Sequence, residues 1–142
     1  MLASDRSVSV VDRRLRLEMR WDSARTERVG AAAFVPGRAS FAVIVHRRGA
    51  SPSSEVLVVD ESAAGPRARS VFAGPGTFTS LAPSPDGRHL LVAWREADQW
   101  LFIPVAGRAR VTAVDQISQQ FSPGAEHPSF PRVGISDWCC PR

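Results

Sequence analysis

Apolar residues along this chain fall in short runs of strand length, and most runs either alternate with polar residues or are apolar on both faces. Val8-Ser9-Val10-Val11 and Leu15-Arg16-Leu17-Glu18-Met19 come first, with Asp12-Arg13-Arg14 between them. Ala31 to Val35, Phe41 to Val45, Val56 to Val59, Val71-Phe72 and Leu81-Ala82 follow. His89 to Trp94, Gln99 to Ile103 and Val111 to Val114 complete the series. Turn formers punctuate the gaps at Pro36-Gly37, Gly49 to Ser54, Gly65-Pro66, Gly74-Pro75-Gly76 and Gly107. No window of helical length combines i, i+3, i+4, i+7 spacing with end signals. The pattern predicts an all-β chain. Runs apolar on both faces, such as Ala42 to Val45 and Leu90 to Trp94, suit sheets packed between other sheets.

The clearest strand–turn–strand passage is Ser84-Pro85-Asp86-Gly87-Arg88, leading into His89 to Trp94 and then Gln99 to Ile103. Asp86-Gly87 supplies the tight turn, because Gly tolerates positive φ and Asp bonds back to nearby amides. Pro85 fixes φ ahead of the turn, and the Ser84 hydroxyl is placed to hold a backbone amide. Ser84, Pro85, Asp86, Gly87 and Arg88 are therefore read as a structural turn motif. A catalytic or ligand role for Asp86 is the weaker reading.

A second copy of this pattern precedes the first. Gly37-Arg38 is matched with Gly87-Arg88, Val56 with Trp100, and Arg67-Ala68-Arg69 with Arg108-Ala109-Arg110. Longer connections at His46 to Glu55 and Asp60 to Pro66 account for the drift between these offsets. A period in the forties fits four-stranded blades.

Leu81 to Arg88, with Leu90-Leu91-Val92 and Trp100-Leu101-Phe102, resembles the WD40-like repeat of TolB-type β-propellers. The same repeat occurs in the propeller domains of some serine peptidases and in bacterial surface lipoproteins. The close resemblance covers residues 79–115, and residues 30–73 follow it more loosely, keeping Pro36-Gly37-Arg38 without the Asp. It implies a blade with inner strand 79–83, then 89–94, 99–104 and outer strand 110–115. The expected architecture is a partial β-propeller of about two to three four-stranded antiparallel blades. Residues 1–29 form the outer strands of an incomplete blade, 30–75 and 76–117 are blades, and 118–142 is a tail that could supply a closing strand through Val133-Gly134-Ile135. Packing of Phe130, Ile135 and Trp138 over the last blade is the alternative for that tail. Closed propellers have four to eight blades. The chain is thus expected to be the C-terminal part of a longer propeller, or to close with copies or a partner, since an open arc leaves apolar surface uncovered.

Composition narrows the function classes. A 44% hydrophobic and 23% charged chain of 142 residues is globular rather than disordered. No apolar run is long enough for a membrane-spanning helix, and Met1 to Arg6 lacks the regions of a secretory signal. The compartment stays open, with the cell envelope implied only if the chain is part of a longer exported protein. All 18 basic residues are Arg, and Lys, Tyr and Asn are absent, the signature of a high-GC genome. With no Lys or Tyr to titrate, a net charge of only +4 gives a pI of 10.8. Neither that pI nor the clusters Arg13-Arg14-Arg16, Arg47-Arg48, Arg67/Arg69 and Arg108/Arg110 argues for nucleic acid, since no interleaved aromatics accompany them. They read as solvated surface and edge protection. Arg95 is expected to lie over Trp100 in a structural cation–π contact.

Sites of chemistry are scarce. The chain has no Gly-x-Ser-x-Gly elbow, His-Glu-x-x-His pair, phosphate-binding loop or acidic calcium loop. His46, His89, His127, Cys139 and Cys140 show no metal-ligand spacing, and the adjacent cysteines read as an inert packed pair. No catalytic, cofactor or metal residue is assigned. The expectation is a non-enzymatic propeller segment that binds a protein partner or self-associates. The alternative is the propeller portion of a larger enzyme such as a serine peptidase, with its catalytic domain elsewhere.

Overall fold

In the computed structural model, which describes residues 1–11, 14, 17–49, 51–106, 110–121, 124 and 130–131, the apolar runs form three antiparallel sheets. The first sheet holds β1 (Leu2–Ala3), β2 (Ser7–Val11) and β3 (Leu17–Asp22) in that order. The second holds β4 (Glu27–Phe34), β5 (Ser40–Arg47), β6 (Ser53–Asp60) and β7 (Arg67–Pro75), again in sequence order. The third holds β8 (Phe78–Pro83), β9 (His89–Trp94), β10 (Gln99–Pro104) and β11 (Thr112–Val114). Strand β8, which follows the far-edge strand β7, returns to pack beside β4.

The sheets stack face to face, and side-chain alternation decides which residues meet. Ala33, Ala42, Ile44, Val56 and Val58 of the second sheet pack on Leu81, Leu90, Val92, Leu101 and Ile103 of the third. On its opposite face, Phe41, Val43, Val45 and Val59 meet Val8, Val10 and Met19 of the first. Strand β5 is therefore buried from Ser40 to Val45, which explains its continuous apolar run. Burial of each such Val, Leu or Ile contributes roughly 1.5–3 kcal/mol.

The second and third sheets are copies of one design. Val29 pairs with Val45 and Ala31 with Ile44, leaving Gly30 as a bulge. Forty-nine residues on (29 to 78, 45 to 94), Phe78 pairs with Trp94 and Ser80 with Ala93, leaving Thr79 as the same bulge. Val56 pairs with Ile44, and Trp100 with Ala93, which preserves the forty-four-residue match of Val56 with Trp100. Two other expected matches are corrected. The bond from Val35 N to Ser40 O corresponds to that from Ser84 N to His89 O, so Arg38, not Gly37, aligns with Gly87. Val58 pairs with Arg69 and Phe102 with Thr112, so Arg69 aligns with Thr112 rather than Arg110. Like residues in turns do not set register; the face that must enter the core does.

The two ends of the stack differ. On the outer face of the first sheet, Ser7 and Ser9 lie opposite Asp22 and Arg20, whose side chains are hydrogen-bonded to each other. Leu2, paired with Ser9, and Val11 are the apolar members of that face among the described side chains. The outer face of the third sheet is apolar: Ala82, Leu91 and Ala93 are buried there with Trp100 and Phe102, and Phe130 packs on them. The Trp100 ring also meets Phe121, at 4.9 Å between centroids. Large exposed apolar side chains among the described residues are few: Met1, Leu2, Phe34 and Phe121.

Several local expectations change. Residues Gly49 to Ser54 are not all loop, because Ser53 and Ser54 open β6, and Gly74-Pro75 closes β7 instead of lying in a turn. A 3-10 turn spans Arg95–Ala97, and a short helix, α1 (Ile117–Phe121), opens the tail. Arg95 sits in that 3-10 turn while Trp100 lies across from Ala93 and against Phe121, so the expected cation–π pair does not form. Phe130 does pack over the third sheet, whereas the expected strand at 133–135, Trp138, Cys139 and Cys140 fall outside the described residues. Among the described residues no helix is long and apolar enough to cross a membrane.

Candidate functional site

Antiparallel strand order places alternate connections at opposite ends of the stack, and backbone bonds tie each set together. At one end, the turns at 35–39 and 84–88 touch. This is where Ser84, Pro85, Asp86, Gly87 and Arg88 lie. The Ser84 hydroxyl donates to Asp86 Oδ1 at 2.6 Å and accepts from His89 N at 2.9 Å. Asp86 Oδ1 also accepts from Arg88 N at 3.0 Å. These two bonds to the carboxylate hold the Asp86 pKa below its ordinary value. Gly87 has φ +65°, and a Cβ there would fall 2.2 Å from the Pro36 carbonyl oxygen. The motif's polar groups are consumed within the turn, and its glycine lets two turns meet.

The other end carries a different arrangement. Ser23 N donates to Arg6 O, Arg48 N to Thr26 O, and Gly76 N to Pro52 O, so the connections between β1 and β2, β3 and β4, β5 and β6, and β7 and β8 are stitched side by side. Val29 N adds a bond to Asp5 O. The first three connections surround an open groove of about 440 Å³, lined by Asp5, Arg6, Arg25, Thr26, Glu27, Arg28 and Arg48. Four guanidinium groups thus face two carboxylates. Both carboxylates are engaged: Asp5 pairs with Arg28, while Glu27 accepts from Arg47 Nε at 2.9 Å and from Ala24 N at 3.2 Å. Among the described residues, Arg6, Arg25 and Arg48 have no side-chain hydrogen bond or ion pair; the carboxylate whose charge Arg6 feels is Asp22, itself held by Arg20.

Arginine at this end was expected to be plain solvated surface, and Arg47 is not. It bridges Glu27 and Glu55 across three strands, and both carboxylates raise its pKa. Arg69 likewise pairs with Asp60 and donates to the Val105 carbonyl, tying the second sheet to the third.

Beside the groove, a buried polar joint links those two sheets. Ser54 Oγ donates to Gly76 O at 2.8 Å, accepts from Phe78 N at 3.1 Å and lies 2.9 Å from His46 Nδ1. A hydroxyl has one proton, and here Gly76 O takes it. His46 must therefore carry its proton on Nδ1 and donate to Ser54. The other edge of the ring lies over the Gly30 bulge, where a Cβ would come 2.1 Å from Nε2. Burial lowers the His46 pKa; Glu96 opposes that shift and Arg28 adds to it. A serine whose whole hydrogen-bonding capacity is spent is not a nucleophile, so this Ser–His contact is a fastening.

His46 and His89 lie at opposite ends of the stack, and His127, Cys139 and Cys140 lie outside the described residues. Among the described residues, no cluster of three or more His, Cys, Asp or Glu could hold a metal ion. The arginine groove was missed at the sequence level because residues 6, 25, 28 and 48 form no run. The available signal was weak: Arg6 and Arg48 lie close to predicted strands, but Arg25 falls in the unassigned stretch between Met19 and Ala31. Compared with protein-family models, curated proteins and solved structures, the chain matches none.

Proposed function

We propose that this chain is a non-enzymatic scaffold segment of the WD40-like, TolB-type β-propeller class, and that the rim bearing the arginine groove binds a protein partner. The observation that carries this reading is the recurrence of one four-stranded design, with its bulge and its two apolar faces, in consecutive sheets. The return of β8 to the side of β4 is the connection that successive blades require. Turns gathered at one end of such a stack form a surface that can vary without disturbing the core. A rim partner is favoured over closure by further sheets, because one end face of the stack carries Ser7, Ser9, Arg20 and Asp22 beside Leu2 and Val11, and the other is covered by Phe121 and Phe130.

Site-specific photo-crosslinking on the intact protein in extract of its source cells tests this reading. A crosslinker at Thr26, in the groove, is expected to capture a discrete protein that a crosslinker at Ala63, at the opposite end, does not. Capture of the same proteins from both positions, or of none from Thr26, would overturn it.

A further inference from the structure

We infer that the groove between the β1–β2, β3–β4 and β5–β6 connections is a binding site for an acidic peptide segment, one carrying several Asp or Glu side chains. The inference deepens the protein-binding reading and rests on it. Three observations lead to this ligand chemistry. Arg6, Arg25 and Arg48 come from three separate connections and converge on one concavity, and among the described residues no carboxylate is hydrogen-bonded to their side chains. Guanidinium groups make paired hydrogen bonds to carboxylates, so convergent unpaired arginines are suited to that anion. The concavity is also fixed in advance. Backbone bonds join its walls at Arg6–Ser23, Thr26–Arg48 and Asp5–Val29, so the backbone segments that carry the arginines are held together before a ligand arrives. Preorganisation of this kind reduces the ordering cost of binding. A volume of about 440 Å³ lies in the range of ligand clefts.

The same residues argue for a peptide over a nucleic acid. Among the described residues no aromatic side chain lines the groove, which leaves a base nothing there to stack on. Asp5 and Glu27 lie among the arginines and would repel a continuous phosphate backbone. A peptide with carboxylates at intervals can place them against Arg6, Arg25 and Arg48 while leaving Asp5 and Glu27 opposite neutral or basic positions. Complementary charge at such a rim speeds encounter and selects the partner.

Fluorescence anisotropy on the full chain tests the inference with three labelled probes. These are a peptide alternating Glu with Ser, the same peptide with Gln for Glu, and a thymidine oligonucleotide of equal negative charge. The Glu peptide is expected to bind in about 50 mM salt and to weaken about tenfold in about 300 mM salt. Arg25→Gln combined with Arg48→Gln should also weaken it about tenfold. Arg38→Gln, at the opposite end, should leave it within about twofold, because interactions at that distance are screened. Thermal melting checks that the exposed substitutions leave the fold intact. Equal binding of the Gln peptide, oligonucleotide binding as tight as that of the Glu peptide, or indifference to the double substitution would each overturn the inference. Crosslinking retained at Thr26 without Glu-peptide binding removes the acidic chemistry alone. Glu-peptide binding without a captured protein removes the protein-partner reading instead.

Discussion

Replacing Gly87 with alanine should test whether the two repeated turns are held against each other. Two costs arise at this position. The φ of +65° strains any residue with a Cβ by about 1 kcal/mol. The added Cβ would also fall 2.2 Å from the Pro36 carbonyl oxygen, a backbone atom that cannot rotate away. Forcing an extra group into packed structure costs about 1–3 kcal/mol. Gly37 offers an internal control, since its φ of +71° carries the same strain with nothing within 4 Å of a new Cβ. Gly37→Ala should therefore cost about 1 kcal/mol and Gly87→Ala about 2–4 kcal/mol. The change in unfolded-chain entropy is common to both and cancels in their difference. For a chain of this size each kcal/mol corresponds to about 3 °C in Tm. Urea denaturation and thermal melting of the two variants give the comparison. Gly87→Ala within about 0.5 kcal/mol of Gly37→Ala, the usual error of such differences, would refute the close approach of the turns.

Ser54→Ala leaves Gly76 O, Phe78 N and His46 Nδ1 without their shared partner, so a loss of about 2–4 kcal/mol is expected in denaturant titration; a loss under about 0.5 kcal/mol contradicts the joint. For His46, the folded pKa lies below the ordinary 6.5. The unfolded chain then takes up its proton first as pH falls, so stability is intact above 6.5 and declines on acidification through 6.5 until the folded ring also protonates. An NMR titration placing the His46 pKa at or above 6.5, or a His46→Gln variant with an unaltered stability slope between about pH 7.5 and 5.5, would show the sign to be wrong. Phe130→Ser uncovers part of the apolar outer face of the third sheet and should raise binding of an apolar fluorescent dye. Unchanged dye binding would mean that Phe130 is not the cover.

The sheets were legible because strand-length apolar runs with short turns admit few alternatives. The run Ala42 to Val45 could be assigned to a doubly covered strand from its composition alone. Register was only partly legible. Val56 and Trp100 matched because both occupy apolar strand positions that another layer covers, whereas Arg67-Ala68-Arg69 and Arg108-Ala109-Arg110 matched by composition alone. The candidate site was not legible, for a different reason. Its arginines belong to three connections that meet only after the sheets have stacked, and Arg6 and Arg48 lie 42 positions apart (6 to 48). His46 and Ser54 show the same effect at short range, since only the β5–β6 register puts these two residues opposite each other.

The unequal end faces give the molecule a direction of growth. Positions 33, 42, 44, 56 and 58, which receive the third sheet, recur at 82, 91, 93, 100 and 102 on that sheet's own outer face. A duplicated unit covering residues 76–117 would therefore find a matching seat only there, between the third sheet and the tail. The seat would still need reshaping, because Trp100 and Phe102 stand where the second sheet has Val56 and Val58. Nothing comparable awaits it at Ser7, Ser9, Arg20 and Asp22. A further sheet would thus meet two unlike faces, and on the apolar one it would have to displace Phe121 and Phe130.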